Sequence, residues 1–132
     1  LGPPPRPAPA RETAYRYAAP VFRLSALALV VSSYCNPVRE EDIVVTKHRY
    51  NAFYNTDLEF YLKTNDVSRV IFAGVGTNVC VALSLYGAYD RDYAVTMLSD
   101  CCGSSDAALH RATLDNVESH FGEVHESTAV DL

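Results

Sequence analysis

The stretch RVIFAGVGTNVCVALSLYGAYD, residues 69–90, decides the fold class of this chain. Its first seven residues form an apolar run with β-branched and aromatic side chains, which predicts a buried strand over 69–75. Gly76 and Thr77 predict a turn, and the apolar segment 78–90 predicts a buried helix. A buried strand that passes directly into a buried helix is typical of a parallel α/β sheet.

Three further strands are predicted around this unit. The β-branched run DIVVT (42–46) precedes it, and YAVTMLSD (93–100) and EVHEST (123–128) follow it. Because strands alternate with helices, the chain predicts right-handed crossovers and an open, mainly parallel sheet with helices on both faces, an α/β fold in three layers.

Two further helices are predicted between these strands. Thr56 and Glu59 have the spacing of a capping box, which predicts a helix that starts on Asp57. An amphipathic helix is predicted between the third and last strands, with three inward-facing positions: Ala108, Leu114 and Val117.

Composition narrows the functional classes. The chain has 132 residues, 48% of them hydrophobic and 20% charged, which is typical of one globular domain. The net charge of −5 without a basic run argues against nucleic acid and anionic membranes as partners, and no apolar run is long enough to span a bilayer. Four cysteines without a C-x-x-C motif indicate free thiols in a reducing compartment, so we expect a cytoplasmic protein without a metal or cofactor: Cys35, Cys80, Cys101 and Cys102.

The first 37 residues differ from the rest, because they contain all seven prolines. We therefore expect residues 1–37 to be a partly disordered segment and residues 38–132 to be the compact domain. The apolar run LSALALVV (24–31) either covers a sheet edge as a substitute strand or leaves that edge to another subunit, and we expect a homo-oligomer.

Side chains with chemical potential follow the predicted strands. Lys47, Cys80 and Asp100 lie where three strands end, and the carboxyl ends of parallel strands meet at one edge of a sheet. Cys80 in a first helical turn, near a lysine and the free amides of that turn, would suit acyl transfer. Two simpler interpretations stay open: Cys80 packs as a small hydrophobe, and Lys47 is a solvated charge.

Two sequence blocks carry a family resemblance. VVTKHRYNAFYNTDLEFYL (44–62) and VIFAGVGTNVCVALSLYGAYDRDYAVTMLSDCC (70–102) resemble the isochorismatase-like cysteine hydrolases, with LHRATLDNVESHFGEV (109–124) in support. Within that family the chain most resembles ureidoacrylate amidohydrolases of pyrimidine degradation. The resemblance spans about residues 42–124, and the N-terminal third of the chain does not share it.

The resemblance implies roles for individual residues. Cys80 would be the nucleophile that attacks an amide or ureido carbonyl and forms a thioester, and Lys47 would stabilise its thiolate. A cis peptide between Val75 and Gly76 would aim the amides from Gly76 through Thr77 to Cys80 into an oxyanion hole. The implied substrate is a small ureidoacrylate-like molecule, and the implied substrate-binding residues are Tyr50, Phe53, Tyr54, Asn55 and Asn78.

One residue of the family pattern is not found. The family has an aspartate just after its first strand, where LALVVSSYCNP (27–37) has Ser32 or Ser33, and the segment that follows it is absent, so the domain is N-terminally incomplete. Two hypotheses therefore stay open: an active amidohydrolase, and a catalytically impaired relative that serves as a scaffold or oligomer partner. Asp100 is a candidate substitute acid, and His110 either packs, caps its helix or takes part in catalysis.

Overall fold

A four-stranded parallel sheet forms the centre of the computed structural model, which describes residues 26–30 and 42–130. The order of the strands in the sheet is their order along the chain, and every neighbouring pair is parallel. The strands are β1 (Ala26–Val30), β2 (Arg69–Val75), β3 (Ala94–Gly103) and β4 (Glu123–His125).

Helical segments connect these strands. They are α1 (Leu58–Thr64), a π-helical turn (Thr77–Val81) that continues directly into α2 (Ala82–Tyr89), α3 (Ala107–His120) and a 3₁₀ turn (Ser127–Ala129). Within the described ranges, no helix has the length and hydropathy needed to cross a membrane.

The sheet is buried on both faces, as the sequence predicts. In β2 three consecutive residues, Val70 to Phe72, are buried, although their side chains alternate between the faces. In β3 the same is true of Val95 to Leu98. Such continuous apolar runs are typical of parallel strands covered on both sides. The predicted open, parallel α/β class is therefore confirmed.

The prediction of a strand at 42–46 is wrong. Residues 43–46 are not part of the sheet, although burial alternates along them, with Val45 and Lys47 buried and Val44 exposed. Alternation predicts extended backbone but does not supply a neighbouring strand, and in the described part of the sheet β1 is the last strand on this side. β1 lies within the apolar run 24–31 and pairs with β2 over five residues, which confirms the substitute-strand alternative.

The predictions for the start of α1 and for the buried face of α3 are only partly correct. Thr56 Oγ1 accepts a hydrogen bond from Leu58 N at 3.3 Å, but Glu59 turns away from the helix start toward Lys63 and Arg91, so no capping box forms. In α3, Val117 is fully buried and Leu114 is partly buried, whereas Ala108 is exposed.

The last helix of the described fold begins after an aspartate cap, and the last strand ends earlier than predicted. The cap of α3 is Asp106, whose carboxylate accepts hydrogen bonds from Ala108 N and Leu109 N at 2.8 and 3.0 Å. Gly122 lies between α3 and β4, where a Cβ atom would come within 2.2 Å of Val95 O, so only glycine fits there. The predicted strand 123–128 is limited to β4, because the 3₁₀ turn begins at Ser127.

Candidate active site

Lys47 is fully buried at the start of a loop that folds around its ammonium group. Nζ donates hydrogen bonds to the carbonyl oxygens of Arg49 and Tyr50 at 2.8 and 2.9 Å. Burying an ammonium group is costly unless acceptors replace its water, and two carbonyls of this lysine loop (residues 47–52) do so. Lys47 is therefore a buried, hydrogen-bonded side chain, and the interpretation of Lys47 as a solvated charge is wrong.

The helix that follows Cys80 also holds the lysine loop. Ser84 Oγ accepts a hydrogen bond from Ala52 N at 3.0 Å and donates one to Tyr50 O at 3.3 Å, so Tyr50 O receives both Ser84 and Lys47. Gly87 allows a close approach, because a Cβ atom there would be 2.7 Å from the Asn51 amide oxygen. The spacing of Cys80, Ser84 and Gly87 places them on one helix face. On that face, Ser84 is hydrogen-bonded to the lysine loop and Gly87 packs closely against it.

Cys80 lies in the π-helical turn, which we call the cysteine turn (Thr77–Val81). Its thiol is 4% exposed, and Sγ donates a hydrogen bond to Val75 O at 3.0 Å and lies 3.8 Å from Gly76 O. Gly76 O in turn accepts hydrogen bonds from Val79 N and Val81 N at 3.1 and 3.3 Å. The sulfur therefore faces the backbone of the strand–helix turn at the carboxyl end of β2.

The peptide bond between Val75 and Gly76 is cis, at the position that the resemblance implies. Val75 is half exposed, whereas Thr77 is fully buried and its hydroxyl is hydrogen-bonded to His110 Nδ1 at 2.8 Å. Asn78 Oδ1 accepts a hydrogen bond from Ser104 Oγ at 2.7 Å. The turn is thus held by side chains from α3 and from the loop before it.

Lys47 and Cys80 are close enough to influence each other electrostatically. Burial lowers the pKa of Lys47, and a negative charge on Cys80 opposes this shift. Cys102 differs, because burial raises the pKa of its thiol to about 12, which keeps it protonated at neutral pH. Of these two thiols, Cys80 is the one whose charge acts on Lys47.

The predicted substrate-binding residues lie in different environments. Tyr50 and Tyr54 are 56% and 58% exposed, and Asn55 is exposed with a left-handed φ of 50°. Phe53 is buried in the core, where its ring stacks on Tyr93 and lies under the Arg91 guanidinium at 4.7 Å. The two tyrosines are thus accessible to a small molecule, whereas the Phe53 ring is occupied by packing.

The candidate acids do not complete the site. Asp100 is exposed, and its carboxylate accepts hydrogen bonds from Ser127 N and Ser127 Oγ at 2.8 and 2.5 Å, which lowers its pKa. It fastens the 3₁₀ turn and is not available as a substitute acid. Ser32 and Ser33 lie outside the described residues. Within the described ranges, no group of three or more His, Cys, Asp or Glu residues could hold a metal ion.

Known proteins place this arrangement in a family. A family model described as the isochorismatase domain matches residues 33–129, which is more than half of the chain. The chain belongs to the isochorismatase family.

Individual members of the isochorismatase family are similar over most of the chain. A ureidoacrylate amidohydrolase from Methylobacterium radiotolerans is 40% identical over 91 residues, which cover 68% of this chain and 35% of that protein. The structure of an isochorismatase-like hydrolase from Alkaliphilus metalliredigens matches with a TM-score of 0.67 and 34% identity, covering 69% of this chain and 53% of that one. A cysteine hydrolase from Pseudomonas syringae matches with a TM-score of 0.70 and 31% identity, covering 75% and 51%.

The chain thus spans about a third of the length of the curated relative and about half of the solved ones. Two features of this isochorismatase-family site were not predicted from the sequence. One is Ser84, which its spacing of four residues from Cys80 could have indicated. The other is the support of the cysteine turn by two hydrogen bonds, Thr77 with His110 and Asn78 with Ser104. The sequence offers no local signal for them, because the partners are 33 and 26 positions apart.

Proposed function

We propose that this chain is a cysteine-dependent hydrolase that cleaves a C–N bond in a small amide or ureido compound similar to ureidoacrylate. The observation that carries the proposal is the buried Lys47 ammonium, which is bound by the carbonyls of a loop that is itself hydrogen-bonded to the helix after Cys80. A buried cation beside a buried thiol stabilises the thiolate, which is the nucleophilic form of cysteine.

The proposed reaction uses the groups of the cysteine turn in sequence. The Cys80 thiolate attacks the carbonyl carbon, and the backbone amides around Gly76 and Cys80 stabilise the negative charge that develops on its oxygen. The leaving nitrogen takes a proton from water and departs as ammonia or an amine, which leaves a thioester on Cys80. A water molecule then hydrolyses the thioester, which releases the acid and returns Cys80 to its free form. Tyr50, Tyr54 and Asn78 are the proposed substrate contacts, because the tyrosines are accessible and Asn78 belongs to the same turn.

The names of the similar proteins support this class of reaction. One relative is a ureidoacrylate amidohydrolase, and one solved structure is of a cysteine hydrolase. The substrate class, the cytoplasmic location and assembly into a homo-oligomer belong to the same proposal.

A second candidate function is a catalytically impaired family member that serves as a scaffold or oligomer partner. It is favoured by the segment LALVVSSYCNP (27–37), which has Ser32 or Ser33 where the resemblance implies an aspartate. Without a general acid or base, hydrolysis typically slows by about 10²–10⁴-fold.

The decisive experiment compares the full chain with its Cys80→Ser variant in the hydrolysis of ureidoacrylate. We expect the wild-type chain to release product and Cys80→Ser to be slower by at least about a thousandfold, because a serine hydroxyl is a far weaker nucleophile at neutral pH. Cys101→Ser, which changes an exposed cysteine, is the matched control and should retain full activity. Equal rates for wild type and Cys80→Ser would refute the proposal, and an inactive wild type with an unreactive Cys80 would support the second candidate.

A further inference from the structure

The cysteine turn is fastened to the next helix by a buried hydroxyl. Thr77 is fully buried, and its Oγ1 lies 2.8 Å from Nδ1 of His110 in the first turns of α3. A buried hydroxyl needs a hydrogen-bond partner, and His110 provides one from a different element. The bond therefore links the segment that carries Cys80 to the helix that follows β3.

A second bond beside it fixes the neighbouring residue of the turn. Ser104 Oγ donates to Asn78 Oδ1 at 2.7 Å and accepts a hydrogen bond from Asp106 N at 3.3 Å. Asp106 is itself the cap of α3. The start of α3 and the loop before it thus each provide one hydrogen bond to the cysteine turn. His110 bonds to Thr77, and Ser104 bonds to the next residue, Asn78.

The geometry of this turn decides where the sulfur lies. Thr77 begins a π-helical turn, a conformation that is rarely populated without tertiary support. Cys80 is three residues further along the same turn, with Sγ directed to the carbonyls of Val75 and Gly76. A displacement of a reacting atom by a fraction of an ångström is costly in rate, so a group that holds the turn in place affects catalysis without touching substrate.

We infer that His110 is a positioning residue for Cys80, acting through its hydrogen bond to Thr77. This inference rests on the proposed function, because it assumes that Cys80 is the nucleophile. His110 is not the base that contacts the thiol through Nδ1, since that nitrogen is engaged by Thr77.

The test compares His110→Ala with His110→Asn in the full chain. An asparagine amide reaches about the position of Nδ1 and can bond to Thr77, whereas alanine cannot. With ureidoacrylate as substrate, we expect His110→Ala to lower kcat by about tenfold with KM within about twofold, and His110→Asn to restore kcat to within about threefold of wild type. His120→Ala, on the exposed last turn of the same helix, is the matched control and should leave both constants unchanged.

A second measurement keeps the inference falsifiable if His110→Ala folds poorly. Thr77→Val removes the hydroxyl and keeps the shape of the side chain, so it breaks the same bond from the other end. Because both changes remove one interaction, the double variant should be about as slow as either single variant. Additive losses would contradict the inference, as would a His110→Ala kcat within twofold of wild type, a change in KM alone, or His110→Asn as slow as His110→Ala.

Alkylation of Cys80 by iodoacetamide at pH 7 separates this inference from the proposed function. If Cys80→Ser hydrolyses ureidoacrylate as fast as wild type, the proposed function fails. The alkylation rate then tests the positioning alone: His110→Ala must slow it and His110→Asn must restore it. If Cys80 is essential and His110→Ala alters neither kcat nor alkylation, the proposed function stands and the positioning role is refuted.

Discussion

At the scale of single residues, the site depends on one buried cation. The Lys47 ammonium is hydrogen-bonded to two backbone carbonyls, and its burial lowers its pKa because the charged form is no longer solvated by water. A negative charge on Cys80 opposes that shift, so the two side chains interact electrostatically. The role proposed for Lys47 rests on this interaction.

The interaction between Lys47 and Cys80 predicts how replacing the lysine changes the reactivity of the thiol. Lys47→Met keeps much of the aliphatic stem and removes the charge, so the electrostatic interaction with Cys80 is lost. We expect alkylation of Cys80 by iodoacetamide at pH 7 to slow by about tenfold, equivalent to about 1.4 kcal/mol. Mass spectrometry of the peptide that contains Cys80 measures this rate separately from the other cysteines.

The control is Lys63→Met, which removes an exposed lysine paired with Glu59 on α1. It should leave the alkylation rate unchanged. An equal rate in Lys47→Met and wild type would mean that the ammonium does not act on the sulfur.

The sequence identified some of these residues better than others. Lys47 and Cys80 could be named because each lies in a specific motif whose local pattern predicts its place. The support from His110 and Ser104 could not be predicted, because their hydrogen bonds join residues 33 and 26 positions apart. Phe53 was expected to contact substrate from its position beside the motif, but burial against Tyr93 and Arg91 is decided by packing that the motif does not encode.

At the scale of elements, α1 and α2 are joined by one carboxylate. Glu59 accepts a hydrogen bond from Arg91 Nε at 2.8 Å, and Arg91 also donates to Gly87 O at 2.9 Å, near the end of α2. On α1 the same carboxylate pairs with Lys63 at 2.7 Å. The helix that fastens the lysine loop is thus connected to the helix that follows the loop.

This connection predicts a pH dependence of stability. Hydrogen bonds from Lys63 and Arg91 hold the pKa of Glu59 below its ordinary value of 4.5. A lowered carboxyl pKa in the folded state stabilises the fold above the ordinary value, and that contribution is lost as the pH falls through the lowered one. The free energy of unfolding of wild type should therefore exceed that of Glu59→Gln at pH 7, and the difference should shrink below pH 4.5.

Urea denaturation at a series of pH values measures both curves. Arg91→Gln removes one of the two donors and should reduce the pH-dependent part without abolishing it. Parallel curves for wild type and Glu59→Gln would contradict the assignment.

Elements were predicted well where the local pattern is sufficient and poorly where a partner is required. The strand, turn and helix of 69–90 follow from continuous apolar runs interrupted by glycine. The run 42–46 has the β-branched composition of a strand, but a strand also needs a hydrogen-bonded neighbour, which a local pattern does not reveal. Ala108 was placed on the buried face by helical periodicity, although it lies in the first turn of α3, where the helix is exposed.

At the scale of the whole molecule, β1 is what makes β2 an interior strand. β2 carries the cysteine turn at its carboxyl end, with β1 on one side and β3 on the other. The register runs from Ala26 beside Arg69 to Val30 beside Ala73. Without β1, the backbone groups of β2 on that side would lack these partners, and unpaired edges are prone to association.

A proline in the middle of β1 tests this dependence. Ala28→Pro fixes φ and removes a backbone N–H, so it is poorly tolerated within a paired strand. We expect the free energy of unfolding, from urea denaturation, to fall by about 2–3 kcal/mol. Ala10→Pro is the matched control, because it adds a sixth proline to LGPPPRPAPA, and we expect its unfolding curve to match that of wild type. If both variants unfold like wild type, β1 does not contribute to the folded sheet, and the support of the cysteine turn must come from β3 and α3 alone.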